Sequence, residues 1–211
     1  MYHCRHGGTC PKVQREAEGM SRLVKIASTI GLIAALAFIS VPNAEARGRG
    51  GLNVTIYDLT NTNYNTDEFG EAIYSYEPWR SGPVGSRCAR VVLDTIDQDF
   101  SPQYGSCPEE QFLVHYSGYL KVPRTGVYTF YARVDDGFHL QLGREVVLYD
   151  WEVQGAESFN VQGDIRLRRG VAYELNAWLN QGWGGKEAYL YYSFRGSSPE
   201  PVPASWLSPR R

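Results

Sequence analysis

Histidine and cysteine are both scarce here, four of each in 211 residues, and what is missing narrows the chemistry. No His-Glu-x-x-His, Gly-x-Ser-x-Gly or phosphate-loop pattern occurs, so zinc-protease, α/β-hydrolase and P-loop reactions lack their signatures. Beyond residue 46 only His115 and His139 remain. Each sits in an alternating run on the side opposite its apolar residues, which predicts surface or rim positions. A basic excess is also missing. Lys and Arg number 21 against 23 Asp and Glu, with a net charge of -2 and a pI near 6.1, which argues against nucleic acid or an anionic membrane surface as a partner. Nor does any stretch beyond residue 46 repeat its apolar residues every 3.6 positions, which excludes a helical bundle. The sequence therefore reads as non-catalytic. A small glycoside hydrolase stays open as an alternative, because Glu109, Glu110, Glu152 and Glu187 are available as a carboxylate pair.

The N-terminus carries an address. From Met20, Arg22 and Lys25 lead into an apolar run over residues 26–41, followed by Pro42 and Ala44-Glu45-Ala46. Charged, apolar and small residues in that order predict a secretory signal over residues 20–46, cleaved after Ala46. The run is shorter than the ~20 residues of a membrane span, so no span is expected in the mature chain. Residues 1–19 precede the signal's own Met and read as an over-extended start. The segment 1–46 holds five basic and three acidic residues, so the remainder has 16 against 20, a net of -4, and two cysteines. In an exported chain, Cys88 and Cys107 are expected to form one disulfide.

After the lead-in at 47–51, the pattern is one of strands. Residues 52–57 alternate and are rich in β-branched side chains; 61–65 are polar turn residues. Residues 66–110 read as irregular, punctuated by Pro78, Gly82, Pro83, Gly85, Pro102 and Pro108. Regular alternation then predicts strands at 112–117, 127–134, 138–142, 145–151, 158–167, 171–179 and 187–194. Many short strands at near-even spacing argue an all-β antiparallel sandwich or barrel. The proline-rich end, 201–207, is expected to pack as a closing arm.

Between two of these runs lies Val134-Asp135-Asp136-Gly137. Alone, Asp-Asp-Gly reads as a turn. At the end of a rigid strand, however, two adjacent carboxylates also offer hard oxygen donors for calcium or acceptors for sugar hydroxyls.

Several stretches occur in a telling order. They are Gly51-Leu52, the 112–118 strand ending in Tyr119-Leu120, Pro123-x-x-Gly126-x-Tyr128-x-Phe130, the acidic pair followed by Asp150-Trp151, Leu167-x-x-Gly170-x-x-Tyr173, Ala188-Tyr189-Leu190, and a final Pro-x-x-Trp-Leu. Over residues 51–208 this order resembles the PA-fourteen (PA14) domain, the β-sandwich module first named in the anthrax protective antigen. That module is also found in yeast flocculins, epithelial adhesins and glycosidases. The resemblance implies that Asp135 and Asp136, joined by a cis peptide, bind calcium, and that Asn180 on a second loop completes the metal site. The second loop, 180–185, departs from the adhesin pattern. Its glycines admit close backbone approach, and Trp183 either stacks on a sugar ring or packs at an interface. Trp151 is expected in the core, with Asp150 satisfying nearby backbone donors. The function so implied is calcium-dependent, lectin-like carbohydrate binding, with a glycan or cell-surface polysaccharide as partner, by a protein that is secreted or in the cell envelope. A structural or adhesive envelope module without a sugar ligand is the other non-catalytic reading.

Overall fold

The computed structural model describes residues 50–63, 76–100, 104–152, 155–156, 159 and 161–211. The expected signal segment and residues 1–19 lie outside them. The described chain forms β1 (Leu52–Asp58), a short helix α1 (Pro78–Ser81), β2 (Ser86–Leu93), β3 (Asp97–Asp99), β4 (Phe112–Lys121), β5 (Gly126–Val134) and β6 (Gly137–Leu142). It continues through β7 (Glu145–Asp150), β8 (Val161–Leu167), β9 (Ala172–Gln181), β10 (Glu187–Phe194), β11 (Glu200–Pro201) and β12 (Leu207–Pro209). One sheet has the order β2-β1-β4-β9-β6-β7, with β12 continuing the β1 edge of β4. The other runs β11-β10-β5-β8, with β3 also on β10. All pairings are antiparallel. The protein is thus an all-β sandwich.

Alternation builds the core. Tyr128, Phe130, Ala132 and Val134 of β5, and Phe138, Leu140 and Leu142 of β6, are all buried in one cluster with Val114, Tyr116 and Leu179. The polar residues between them turn outward because successive side chains of a strand point to opposite faces. The proline-rich end does close the sandwich. Val202 and Leu207 are buried, Trp206 packs on Tyr192 with ring centroids 4.4 Å apart, and Leu207 pairs with Leu120.

Two expectations are corrected. Residues 66–110 are not irregular throughout, since they contain α1, β2 and β3. β2 pairs along the whole of β1, from Leu52↔Leu93 to Asp58↔Ser86. It was hidden because it is an edge strand with no fully buried residue, and a register shift at Ile56/Tyr57 disturbs its alternation. The expected disulfide is present: Cys88 on β2 is bonded to Cys107, 19 residues on. The second correction concerns His139, which is not at the surface, whereas the half-buried His115 sits at a rim as expected. Both lie on the outer face of the larger sheet, one end of which is covered. His139 is fully buried, its ring stacked 4.2 Å from Trp79 on α1; His115 stacks 3.9 Å from Trp178 and bonds Asn176 Oδ1 at 3.3 Å.

Candidate functional site

Asp135 and Asp136 connect β5 to β6 at one end of the sandwich, and the peptide between them is cis. Neighbouring backbone holds both residues. The Asp135 N–H donates to the Glu187 carbonyl (3.0 Å), and the Asp136 N–H donates to the Asn180 carbonyl (3.2 Å). The Gly182 N–H in turn donates to Asp136 Oδ2 at 2.8 Å. The β9–β10 connection is therefore closed against the acidic pair, and the Gln111 N–H, just before β4, secures it by donating to the Gly182 carbonyl (2.9 Å). A Cβ on Gly185 would come within 2.4 Å of Asp135 Oδ2, so only glycine lets the loop approach this carboxylate.

The electrostatics are those of an unbalanced anionic site. Asp135 and Asp136 are 8% and 2% exposed. The Asp135 carboxyl is pushed up to about 6, first by burial and then by the Asp136 charge; Glu187 and Glu110 add to the rise, and a backbone bond from Ala156 opposes it. The two outlying glutamates have cations of their own. Glu187 pairs with Arg133 at 2.6 Å, and Glu110 with Lys186 at 3.4 Å.

The expected site residues come together in part. Asn180 does not follow its strand; β9 continues through it to Gln181, and it lies in register with Gly137, the residue after the pair. Its carboxamide is fully buried, and neither Oδ1 nor Nδ2 has a hydrogen-bond partner among the described residues. An unmet buried amide costs about 1–3 kcal/mol, so something that supplies a partner is favoured there. Two buried carboxylates and an orphaned carboxamide fit a hard cation such as calcium. Among the described residues no third His, Cys, Asp or Glu joins the pair, so further donors would be carbonyl, amide or water oxygens. Trp183, at the tip of the same loop, is 52% exposed. Trp151 is 3% exposed in a small cluster on the outer face of the larger sheet, with Leu59, Leu113 and Trp178.

Sequence reasoning missed the backbone of Gly182 and Glu187, which grips the pair. The run of glycines at 182–185 was its one signal.

The described residues thus form a two-sheet antiparallel sandwich that presents a cis acidic pair at one loop end. The PA14 domain family matches residues 71–206, and the chain belongs to that family. Similar solved structures include the epithelial adhesin 6 A domain of Candida glabrata in complex with Galb1-3GlcNAc (TM-score 0.60, 18% identity, covering 80% of this chain and 90% of that one). The PA14 sugar-binding domain of an RTX adhesin has a TM-score of 0.58 at 16% identity, covering 76% and 99%. An anti-sigma factor domain-containing protein from Clostridium clariflavum has 0.59 at 19%, and this chain spans 48% of its length. No curated protein sequence matches the chain.

Proposed function

We propose that this protein is an exported, non-catalytic PA14 module that binds carbohydrate with the help of calcium. The observation that carries the reading is the buried Asp135–Asp136 pair, whose Asp136 N–H bonds the Asn180 carbonyl, together with the unpartnered Asn180 carboxamide. Two similar structures are described as a sugar-binding adhesin domain and an adhesin domain holding a galactose-containing disaccharide, which supports the same direction. Calcium would supply positive charge that offsets the two carboxylates and would leave coordination positions for sugar hydroxyls. Asp135, Asp136 and Asn180 would hold the ion. The Gly182 N–H keeps one Asp136 oxygen oriented, and Gly185 leaves room for the Asp135 carboxylate. Trp183 would lay its ring against the apolar face of a sugar.

Calorimetry with calcium and then with a glycan panel tests this division of labour. Asp136→Asn is expected to abolish both titrations while the β core stays folded. Trp183→Ala is expected to keep the calcium titration and weaken the glycan by about 1–3 kcal/mol. Unchanged calcium binding by Asp136→Asn would sink the metal reading, and an absence of any glycan signal would leave an adhesive module without a sugar ligand.

A further inference from the structure

We propose a second binding site at the opposite pole of the sandwich, a cleft in which Arg124, Arg169 and Arg195 bind the carboxylate, sulfate or phosphate groups of an acidic polysaccharide. The β4–β5, β8–β9 and β10–β11 turns meet there around an open cleft of about 360 Å³, lined also by Pro123, Thr125 and Phe194. β5 runs nine residues from this pole to the acidic pair, so the two sites lie on the order of 25 Å apart and share no side chain.

The site is charged and built. No carboxylate lines the cleft, and among the described residues none of the three guanidinium groups is in an ion pair. Arg124 and Arg195 lie over the same Phe194 ring, at 4.5 and 5.3 Å from its centroid. That ring is seated on Gly126, where an added Cβ would come within 2.6 Å of it, and on Tyr128, 4.8 Å away. The turns are tied together by their own bonds. The Arg169 N–H donates to Thr125 Oγ1 (2.9 Å), the Gly170 N–H to the Val122 carbonyl (3.1 Å), and the Tyr128 hydroxyl to the Arg124 carbonyl (2.8 Å). Two guanidinium groups share one ring and Arg169 lines the same cleft, with no acid among its lining residues, which leaves forked donors for an external oxyanion.

Charge selects the class of ligand. The arginines call for an oxyanion, and the basic character is local to the three turns, because beyond residue 46 the chain as a whole carries a net -4. A cleft of this volume is the size of a small ligand, which suits one charged sugar within a chain.

The experiment is titration of the purified protein with dextran sulfate, polygalacturonate, neutral dextran, inorganic sulfate and duplex DNA at two salt concentrations. Dextran sulfate or polygalacturonate is expected to bind in a salt-sensitive way, the preference between them naming the anion, with inorganic sulfate competing weakly and neutral dextran silent. Arg124→Gln/Arg195→Gln should weaken the acidic polysaccharide at least roughly tenfold, and Arg195→Lys, which keeps charge but loses the fork, should weaken it by several-fold. Calcium titration at the other pole should be unchanged in every variant, which separates failure here from failure of the loop-end reading. Equal binding of neutral dextran, full binding by the double variant, or tighter binding of duplex DNA than of both acidic polysaccharides would overturn the proposal.

Discussion

The outer faces of the two sheets share the same strand periodicity but differ at one end of the larger sheet, which is covered. On the larger sheet, Leu113, Trp178 and His139 face outward and are nonetheless buried, because Leu59, Val84, Trp79 and Trp151 cover them. The Trp151 indole N–H donates to the Tyr76 carbonyl (3.0 Å), and Trp79 meets the Trp151 ring edge-on at 4.9 Å. On the smaller sheet, Thr129, Tyr131, Arg133, Tyr189 and Tyr191 face outward and remain part-exposed. There the polar ends find one another. Thr129 bonds Asp164, Tyr131 bonds Ser193, and Arg133 stacks on Tyr189. Alternation decides which residues leave the central core, but a covering segment decides whether they leave water as well.

The sharpest way to test that contrast is to truncate one aromatic on each face. Trp178→Ala, on the covered face, should lower unfolding free energy by about 3–5 kcal/mol in denaturant titration. An effect below about 1 kcal/mol would mean that the cover contributes no second core. Next in size is the staple on β2, the edge strand of the covered sheet. Replacing Cys88 and Cys107 by Ser should cost about 3 kcal/mol against the oxidised parent, and the reduced parent should match the double variant.

The third test uses pH. Burial, with Arg80 adding to it, lowers His139 to about 4 from its ordinary 6.5. The unfolded chain therefore takes up a proton below about pH 6.5 that the folded chain refuses until about pH 4. The stability of the covered face is full above pH 6.5, declines as pH falls towards 4, and falls no further below that, a loss on the order of 2–3 kcal/mol. Asp135, raised from 3.8 to about 6, has the opposite sign and gives back some stability as pH falls through the same range. His139→Phe keeps a ring for Trp79 and should flatten the decline attributable to histidine. Parallel stability curves for parent and variant between pH 6.5 and 4 would show that the ring is not shielded from protons. The smallest effect is expected on the open face, where Tyr191→Ala should shift thermal unfolding by no more than about 1 kcal/mol.

The same contrast explains what was legible from residues alone. Strands whose two faces differ sharply, such as β5 with Tyr128, Phe130 and Ala132 set against Thr129, Tyr131 and Arg133, announce themselves by alternation. β2 does not, because both its faces meet some solvent, and α1 is a single turn started by Pro78, too short for any periodicity. His139 was placed on the correct face and in the wrong environment. Nothing in its own strand reports that Trp79 of α1 stacks over it. At the loop end, the acidic pair and the glycine run could be read from sequence, and the position of Asn180 came from family resemblance. The grip on the pair is made of backbone groups at Asn180, Gly182 and Glu187, which carry no side-chain signature.

The Gly51 N–H donates to the Leu207 carbonyl at 3.2 Å, and Asn53 Nδ2 reaches the Arg210 carbonyl at 2.7 Å, so the two ends of the sandwich leave it side by side. They do so along β4 near Gly118–Leu120, whereas the start of β4, at Phe112, lies beside Gln181 and the acidic-pair loops. A tether before β1, which runs from here towards the acidic-pair loops, would hold the loop end outward. Tension between that tether and anything gripped by the loops would run along the strand axes, across hydrogen bonds that lie perpendicular to it. Such a load shears many bonds together instead of peeling them one at a time.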